Sequence, residues 1–495
     1  MSGLDKFLEK SKLANVIPVI ETLPADLLTP LSVYLKLSKD TEDSFLLESV
    51  EGGETLARYS FIGVDPKMIV SGNDRAITIR SKLGKTEQTV SMFAFLRDHF
   101  AVNKVLEDAD MPSFIGGAIG FFGFSCAGWF EPTIRDDQGE ANHEDEASFM
   151  FFRSLVAFDH AKQVIKIVSL VFTEESGNDV EKLETLYKNA VSENRRIEDM
   201  LENQTISLPK TDARHQNGPV SSNWNQNEFE NAVDEIKELI GAGECYQVVL
   251  SQCFSKPTAA TAVSIYRGMR SLNPSPYMFL LQMGSRSIIG ASPEMLVRCR
   301  GNTLEYRPIA GTRPRGKTAD EDARLAEEMR ADKKEVAEHL MLVDLGRNDL
   351  GRVAEFGSIE VREMMSVEKY SHVQHLVSYL YGDLRKGSDR FDALASCFPA
   401  GTVSGAPKVR AMEIIQRLEP TPRGVYAGAV GYFDYAGNMD TCIAIRTLVL
   451  ENGVAKVQAG AGIVADSVPQ LEYQETIDKA KALLKAIEIA EQQAF

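Results

Sequence analysis

The chain has 495 residues, 44% of them hydrophobic and 25% charged, and a formal net charge of −17. This is an ordinary globular composition with room for several domains or one large composite one. Its acidity, with no basic stripe longer than a few residues, argues against nucleic-acid and anionic-membrane binding. Cys126, Cys245, Cys253, Cys299, Cys397 and Cys442 include no CxxC pair, so neither a zinc ribbon nor a redox motif is supported. The charged start, MSGLDKFLEKSKL, lacks a signal-peptide core, and no apolar run reaches the length of a membrane span. A cytoplasmic location is expected.

In chain order, strands are predicted at Ser44–Ser49, Met68–Ser71, Ala76–Ile79 and Val164–Phe172, the last with alternating apolar residues. Two polar stretches, 131–148 and 203–225, read as surface loops. A helix over 179–201 leads into the second, which is taken as a boundary between an N-terminal half (1–202) and a C-terminal half (226–495). Beyond it, Asn225 and Glu228 suit a capping box. Phe229, Val233, Ile236 and Ile240 repeat at helical spacing, and Gly241 and Gly243 end the helix. Strands follow at Tyr246–Phe254, Tyr277–Gln282, Met295–Arg300 and Thr303–Ile309. Helices and strands alternate without a regular βαβ rhythm, so an α+β fold with antiparallel or mixed sheets covered by helices is expected.

Two short motifs suggest other chemistries. Gly311-Thr-Arg-Pro-Arg-Gly-Lys317-Thr318 fits the pattern of a P-loop, and Leu340–Asp344 resembles an acidic strand end, which together make a nucleotide hydrolase the alternative. Against this, Pro314 removes an N–H from a loop whose task is to offer them, and Pro308 suits an edge strand. Phe124-Ser-Cys126-Ala-Gly128 resembles a glutaminase nucleophile loop but lacks its first glycine and a following histidine–glutamate pair. A buried structural cysteine is the simpler reading.

The chemistry-bearing residues cluster late. Glu335 and Glu338 are one helical turn apart after a capping Asp332, and Glu472 and Glu475 repeat the spacing at the start of the last amphipathic helix. Four carboxylates from two helices suit a hard cation such as Mg²⁺, although solvated helix faces produce the same spacing. Gly401–Lys408 is a small-residue turn able to offer backbone N–H groups to an anion. Glycines at 460 and 462 permit close approach of a ligand. Arg446, in an apolar strand, requires an anionic partner, either a ligand or a structural carboxylate.

These segments, with Gly243–Ser251, Ala291-Ser-Pro-Glu294, Pro308–Gly316 and Val343–Asp349, resemble the chorismate-utilising enzymes, most closely their anthranilate synthase branch. The resemblance covers nearly the whole chain. It implies two orthogonal, largely antiparallel β-sheets sandwiched between helical layers, in a mixed α/β arrangement. It implies Mg²⁺ held by Glu338 and Glu475 with Glu335 and Glu472, and chorismate bound through Thr402, Tyr426, Arg446, Gly460, Ala461 and Gly462, with Ala310, Gly311 and Thr312 beside it. Glu294 is then the general acid for the 4-hydroxyl and His375 the histidine associated with pyruvate loss. Apart from the resemblance, His372-x-x-His375 reads as a weak metal site or as surface residues.

Two positions separate the branches. Gln247 stands where water-using relatives carry a lysine, and Ala310 where aminodeoxychorismate synthases carry one, so the resemblance implies direct attack of ammonia on C2. Cys253 and Gly346 depart from the family pattern, where arginine and alanine are usual. The family also implies a separate glutamine amidotransferase subunit, in a heterotetramer, as the ammonia source. It further implies L-tryptophan as feedback inhibitor, bound by Glu48, Ser49 and Arg58 on one side and Pro276, Tyr277 and Met278 on the other.

Overall fold

The computed structural model describes residues 3–49, 58–106, 111–134, 145–208, 215–370 and 373–492. The expected strands form, most within a residue or two of their predicted bounds: Asp43–Glu48, Met68–Gly72, Ile77–Ser81, Val164–Phe172, Gln247–Pro257, Tyr277–Met283 and Met295–Arg300. Asp179 caps the Val180–Asn203 helix, and Asn225 caps Gln226–Gly241 by accepting from the Glu228 amide, which is one half of the expected box. The reading fails at Thr303–Ile309. The strand stops at Tyr306 and a new one runs from Ile309 to Pro314, because Pro308 cannot donate to a ladder. Of the polar stretches, residues 135–144 and 209–214 lie outside the described residues, as does His372.

Among the described residues the strands join into two twelve-stranded sheets, with antiparallel pairing between the strands. The sheets are not divided by the 203–225 segment. In the first, Asp43–Glu48 pairs with Tyr277–Met283, Met278 opposite Glu48. In the second, Gly117–Phe122 pairs with Ala429–Asp434, Ile119 opposite Tyr432. Each sheet therefore takes five strands from before the 203–225 segment and seven from within or after it.

The period-2 alternation of strand side chains builds the layers. Phe45, Phe279, Leu281 and Ile288 of the first sheet face a core shared with Val70, Phe149, Leu296 and Val297 of the second. Their neighbours Leu46, Leu280 and Ile289 point the other way, against Ile265 and Met269 of the Ala262–Leu272 helix and Leu483 and Ile487 of the Pro469–Glu491 helix. Phe229, Val233 and Ile236 cover Val248, Leu250, Ala461 and Ile463. No helix among the described residues is long and apolar enough to cross a membrane.

The two competing motifs lose their chemistry here. Ile309–Pro314 is antiparallel to Val373–Asp383, at one end of its sheet, not a central parallel strand. The amides of Gly316 and Lys317 are given to Asp322 and Glu321, so the loop does not hold them for a phosphate. Leu340–Asp344 lies inside the Lys333–Gly351 helix. Cys126 is buried, and burial pushes its thiol well above the ordinary range, which removes the thiolate a glutaminase needs.

Candidate active site

The site is organised by two chain crossings between the sheets. Arg286–Ser292 belongs to the first sheet and Met295–Arg300 to the second, so Pro293 and Glu294 lie in the passage between them. In the opposite sense, Met439–Ile443 of the second sheet leads through Ala444, Ile445 and Arg446 to Thr447–Glu451 of the first. The crossings lie side by side. The Ile443 amide donates to the Glu294 carbonyl at 3.0 Å, and the Ala291 amide to the Arg446 carbonyl at 3.0 Å.

Each crossing sets a polar side chain into the interior. Burial raises the Glu294 carboxyl from its ordinary range to about 7, and the nearby Thr402 hydroxyl offsets only a little of this. The Thr402 Oγ1 is itself buried and makes no well-directed hydrogen bond. Arg446 adopts a left-handed backbone, φ 50°, and its guanidinium donates to the Lys479 carbonyl at 2.9 Å. Among the described residues it has no carboxylate partner within ion-pair distance. Burial lowers its pKa, countered by the Tyr426 and Glu475 charges. A half-buried guanidinium so placed favours an anion.

Backbone approaches complete the floor. A Cβ on Gly460 would stand 2.9 Å from the Tyr426 hydroxyl, and one on Gly462 would stand 2.7 Å from the Gln247 amide nitrogen. A larger residue at either position would have to displace these side chains. Ala461 between them is buried. His375 Nδ1 lies 2.8 Å from the Gly311 carbonyl and 3.2 Å from the Thr312 hydroxyl. Burial lowers the ring's pKa, so it is neutral near pH 7. The carbonyl contact assigns the proton to Nδ1 and leaves the Nε2 lone pair available. Ala310, one residue away, is buried opposite Leu376.

The two glutamate pairs start two helices. Asp332 caps Lys333–Gly351 by accepting from the Lys334 and Glu335 amides, and Glu472 lies in the first turn of Pro469–Glu491. The pairs face each other. Glu338 is raised by burial first, then by Glu335, with a further contribution from Glu475. Burial raises Glu472, a bond to Ser467 opposes this, and Glu475 adds to it. Two of the four are held by cations, Glu335 by Arg313 at 2.9 Å and Glu475 by Lys479 at 2.7 Å. As the side chains lie, no three carboxylates among the described residues are close enough to clasp an ion. An all-oxygen set whose members repel one another nevertheless fits a hard divalent cation once those side chains turn.

Several residues that hold the site carry no sequence signal of their own. Glu419 and Arg423 pair at 2.6 Å with side chains 4% and 1% exposed. Arg423 also donates to the Val403 and Val249 carbonyls at 2.7 Å, while Glu419 accepts from the Ser251 amide at 2.9 Å. This buried pair ties the Gly401–Lys408 turn to the 247–257 strand. Lys408 meets Asp349 at 3.2 Å, which ties the turn to the Lys333–Gly351 helix. Lys479 reaches the Gly460 carbonyl at 2.9 Å, so it sits between the anion side and the carboxylates.

A separate, partly open cleft, about 690 Å³ with the solvent at its mouth included, lies where the N-terminal and C-terminal strands of the first sheet meet. Glu48, Ser49, Arg58, Pro276, Tyr277 and Met278 all line it, with Asp440 and Cys442 from the second sheet. Glu48 accepts from Arg270 at 3.2 Å and from the Tyr266 hydroxyl. Arg58 pairs with Asp159 at 3.1 Å. Ser49 Oγ is buried without a partner among the described residues.

Residues 42–485 match the family described as chorismate binding enzyme. The chain is 43% identical to anthranilate synthase component 1 of Acetivibrio thermocellus, over 98% of both chains. It is 41% identical to that of Bacillus subtilis (strain 168), over 99% of this chain and 96% of the relative. Anthranilate synthase component I of Streptococcus pneumoniae TIGR4 superposes with a TM-score of 0.73 at 36% identity, covering 94% of this chain and 99% of that one. The menaquinone-specific isochorismate synthase of Escherichia coli shares the fold, with a TM-score of 0.69 at 20% identity over 98% of this chain and 100% of that one.

The Glu419–Arg423 pair generates a stability prediction. Arg423→Ala leaves a buried carboxylate unpaired, and equilibrium denaturation should show a loss of about 3–5 kcal/mol. A loss below about 1 kcal/mol, the range of exposed pairs, would show that the pair is not a structural tie.

Proposed function

The chain belongs to the chorismate-binding enzymes, and we propose that it converts chorismate and ammonia to anthranilate, pyruvate and water. The observation that carries this reading is the combination at the site. A recessed carboxyl with a raised pKa and a half-buried guanidinium without a carboxylate partner go together with a neutral Gln247 beside Gly462 and an alanine at 310. Chorismate offers two carboxylates, a leaving hydroxyl and an enolpyruvyl ether. Arg446, with Tyr426 and the Gly460–Gly462 backbone, binds the carboxylate of the enolpyruvyl arm. Thr402 lines the ring. Glu335, Glu338, Glu472 and Glu475 hold Mg²⁺, which when bound supplies positive charge for the ring carboxylate.

Ammonia brings its own lone pair, so the nucleophile needs no base. Neither Gln247 nor Ala310 is able to act as base or competing nucleophile at neutral pH. As nitrogen bonds to C2, the ring double bonds shift and the 4-hydroxyl leaves with a proton from Glu294, as water. A proton is then lost from the new nitrogen. His375, neutral with Nε2 unprotonated, takes the C2 proton. The C3–O bond breaks toward oxygen, the ring becomes aromatic, and the departing enolpyruvate takes up a proton to become pyruvate. Cys126, in the loop that resembles a glutaminase nucleophile, is buried, which speaks against its serving as one. Ammonia therefore comes from a partner glutamine amidotransferase subunit.

The direct test is the purified single chain with chorismate, Mg²⁺ and either ammonium or glutamine, followed by anthranilate fluorescence. Ammonium should support turnover and glutamine should not. EDTA should abolish activity and Mg²⁺ restore it, while Glu338→Gln and Glu475→Gln should each lose most of it. Glutamine-driven turnover by the single chain, or normal Mg²⁺-dependence in both variants, contradicts the reading.

Glu294 generates a pH prediction with a definite sign. Its raised pKa keeps the acid form below about pH 7 and loses it as pH rises through about 7. At constant free NH₃, kcat/KM for chorismate should therefore fall on the alkaline side of about pH 7, since this ratio reports the free enzyme. Glu294→Gln should lower the rate roughly 10²–10⁴-fold and remove that limb. A retained limb assigns the acid elsewhere.

The 690 Å³ cavity supports a feedback site for L-tryptophan. Its acidic Glu48 suits an ammonium group, Arg58 a carboxylate, and Pro276 and Met278 an apolar ring. Ser49→Phe should fill the cavity and relieve inhibition while leaving uninhibited turnover intact. If inhibition persists unchanged and Arg446→Ala abolishes tryptophan binding, tryptophan occupies the catalytic site instead.

A further inference from the structure

We propose that Ser292 is a positioning residue for the proton-transfer step, its hydroxyl stapling the crossing that carries Glu294 to the crossing that carries Arg446. The inference rests on the function proposed above and adds to it the group that sets the acid against the anchor of the substrate's arm.

Ser292 is fully buried at the last position of its strand, opposite Tyr277. Its Oγ donates to the Ile443 carbonyl at 2.7 Å, and the Glu294 amide reaches back to the same oxygen at 3.3 Å. Ile443 in turn donates its amide to the Glu294 carbonyl at 3.0 Å. One hydroxyl therefore receives a bond from the acid's own backbone and gives one to the opposite crossing, three residues before Arg446.

Beside the two backbone bonds between the crossings, the Ser292 hydroxyl is the side-chain tie in this passage. Sheet pairing ends at Ser292 on one side, and Met295 opposite Cys442 resumes it on the other, with a register shift before Val297. Pro293 contributes no amide. The staple spans the interval where neither ladder operates. Its loss leaves the Ile443 carbonyl to the Ile445 amide alone, at 2.8 Å, and takes from the Glu294 amide its acceptor, and the backbone relaxes to find water or another partner. That relaxation moves the Glu294 carboxyl relative to the bound ring and admits solvent around it.

The test compares Ser292→Ala with wild type and with Ser292→Thr, which keeps the hydroxyl. Steady-state rates are measured with ammonia, together with the pH profile at constant free NH₃. Ser292→Ala should lower kcat about 10- to 100-fold, the scale of a displaced reacting group, with KM for chorismate near wild type. Its alkaline limb should move to lower pH, because solvent around the carboxyl relieves the desolvation that raises it. Ser292→Thr should restore the limb and most of kcat. A residue that merely supports the fold lowers the amount of active enzyme without moving the limb. Should Ser292→Ala not fold, Ser292→Cys with excess reductant replaces it, since the thiol fills the space but donates weakly. Unchanged kcat, an unmoved limb, or KM rising in step with the loss of kcat overturns the proposal. A wild-type chain that makes no anthranilate sinks the underlying function instead.

Discussion

The structure depends on burying an acid and a guanidinium near one another without letting them pair. A carboxylate in the interior is costly, so Glu294 remains a neutral acid to about pH 7. A guanidinium does not give up its proton, so Arg446 stays charged and is left with a backbone carbonyl as its close partner. Were the two to meet, the acid would ionise and the anion site would close. The sheet-to-sheet crossings prevent this by delivering each group from its own passage, with backbone hydrogen bonds setting their relative position. Around them, the buried Glu419–Arg423 pair and the Lys408–Asp349 pair hold the Gly401–Lys408 turn in place.

The same strands serve two cavities. Met278 and Tyr277 line the 690 Å³ space, and their strand pairs with the one that ends at Ser292. Asp440 and Cys442 line it from the other sheet, three and one residues from Ile443. An occupant of that space touches strands that run directly into the site. Regulation through such an arrangement requires an occupant that prefers one position of these strands over another. The shared sheets, built from both parts of the chain, give each a part in that choice.

Local features were legible in the residues. The Asp332 cap, the glutamates one turn apart and the apolar periodicities at 229–236 act within a few residues, and they fold as read. Pro308 and Pro314 speak against a P-loop in the sequence, and Pro308 also breaks the expected 303–309 strand. The resemblance supplied the lining of the second cavity, since Glu48 and Met278 are far apart in the chain and only strand pairing makes them neighbours. What stayed hidden is non-local or looks ordinary. Glu419 and Arg423 read as a surface pair four residues apart until the fold buries them. Arg313 and Lys479 show nothing in sequence to mark them as the cations that hold Glu335 and Glu475. Ser292 lies within a quoted motif, but its role emerges only when Ile443 is placed opposite.

The central claim is that a neutral amide at Gln247 and an alanine at 310 direct ammonia itself to C2, beside the ring carboxylate. The most direct measurement is the product formed from chorismate and ¹⁵N-ammonium with Mg²⁺, resolved by nuclear magnetic resonance. The account predicts that ¹⁵N appears ortho to the carboxylate in an aromatic amine, with one pyruvate released per ring. Label at the para position, or a product carrying hydroxyl at C2 and no ¹⁵N, contradicts it.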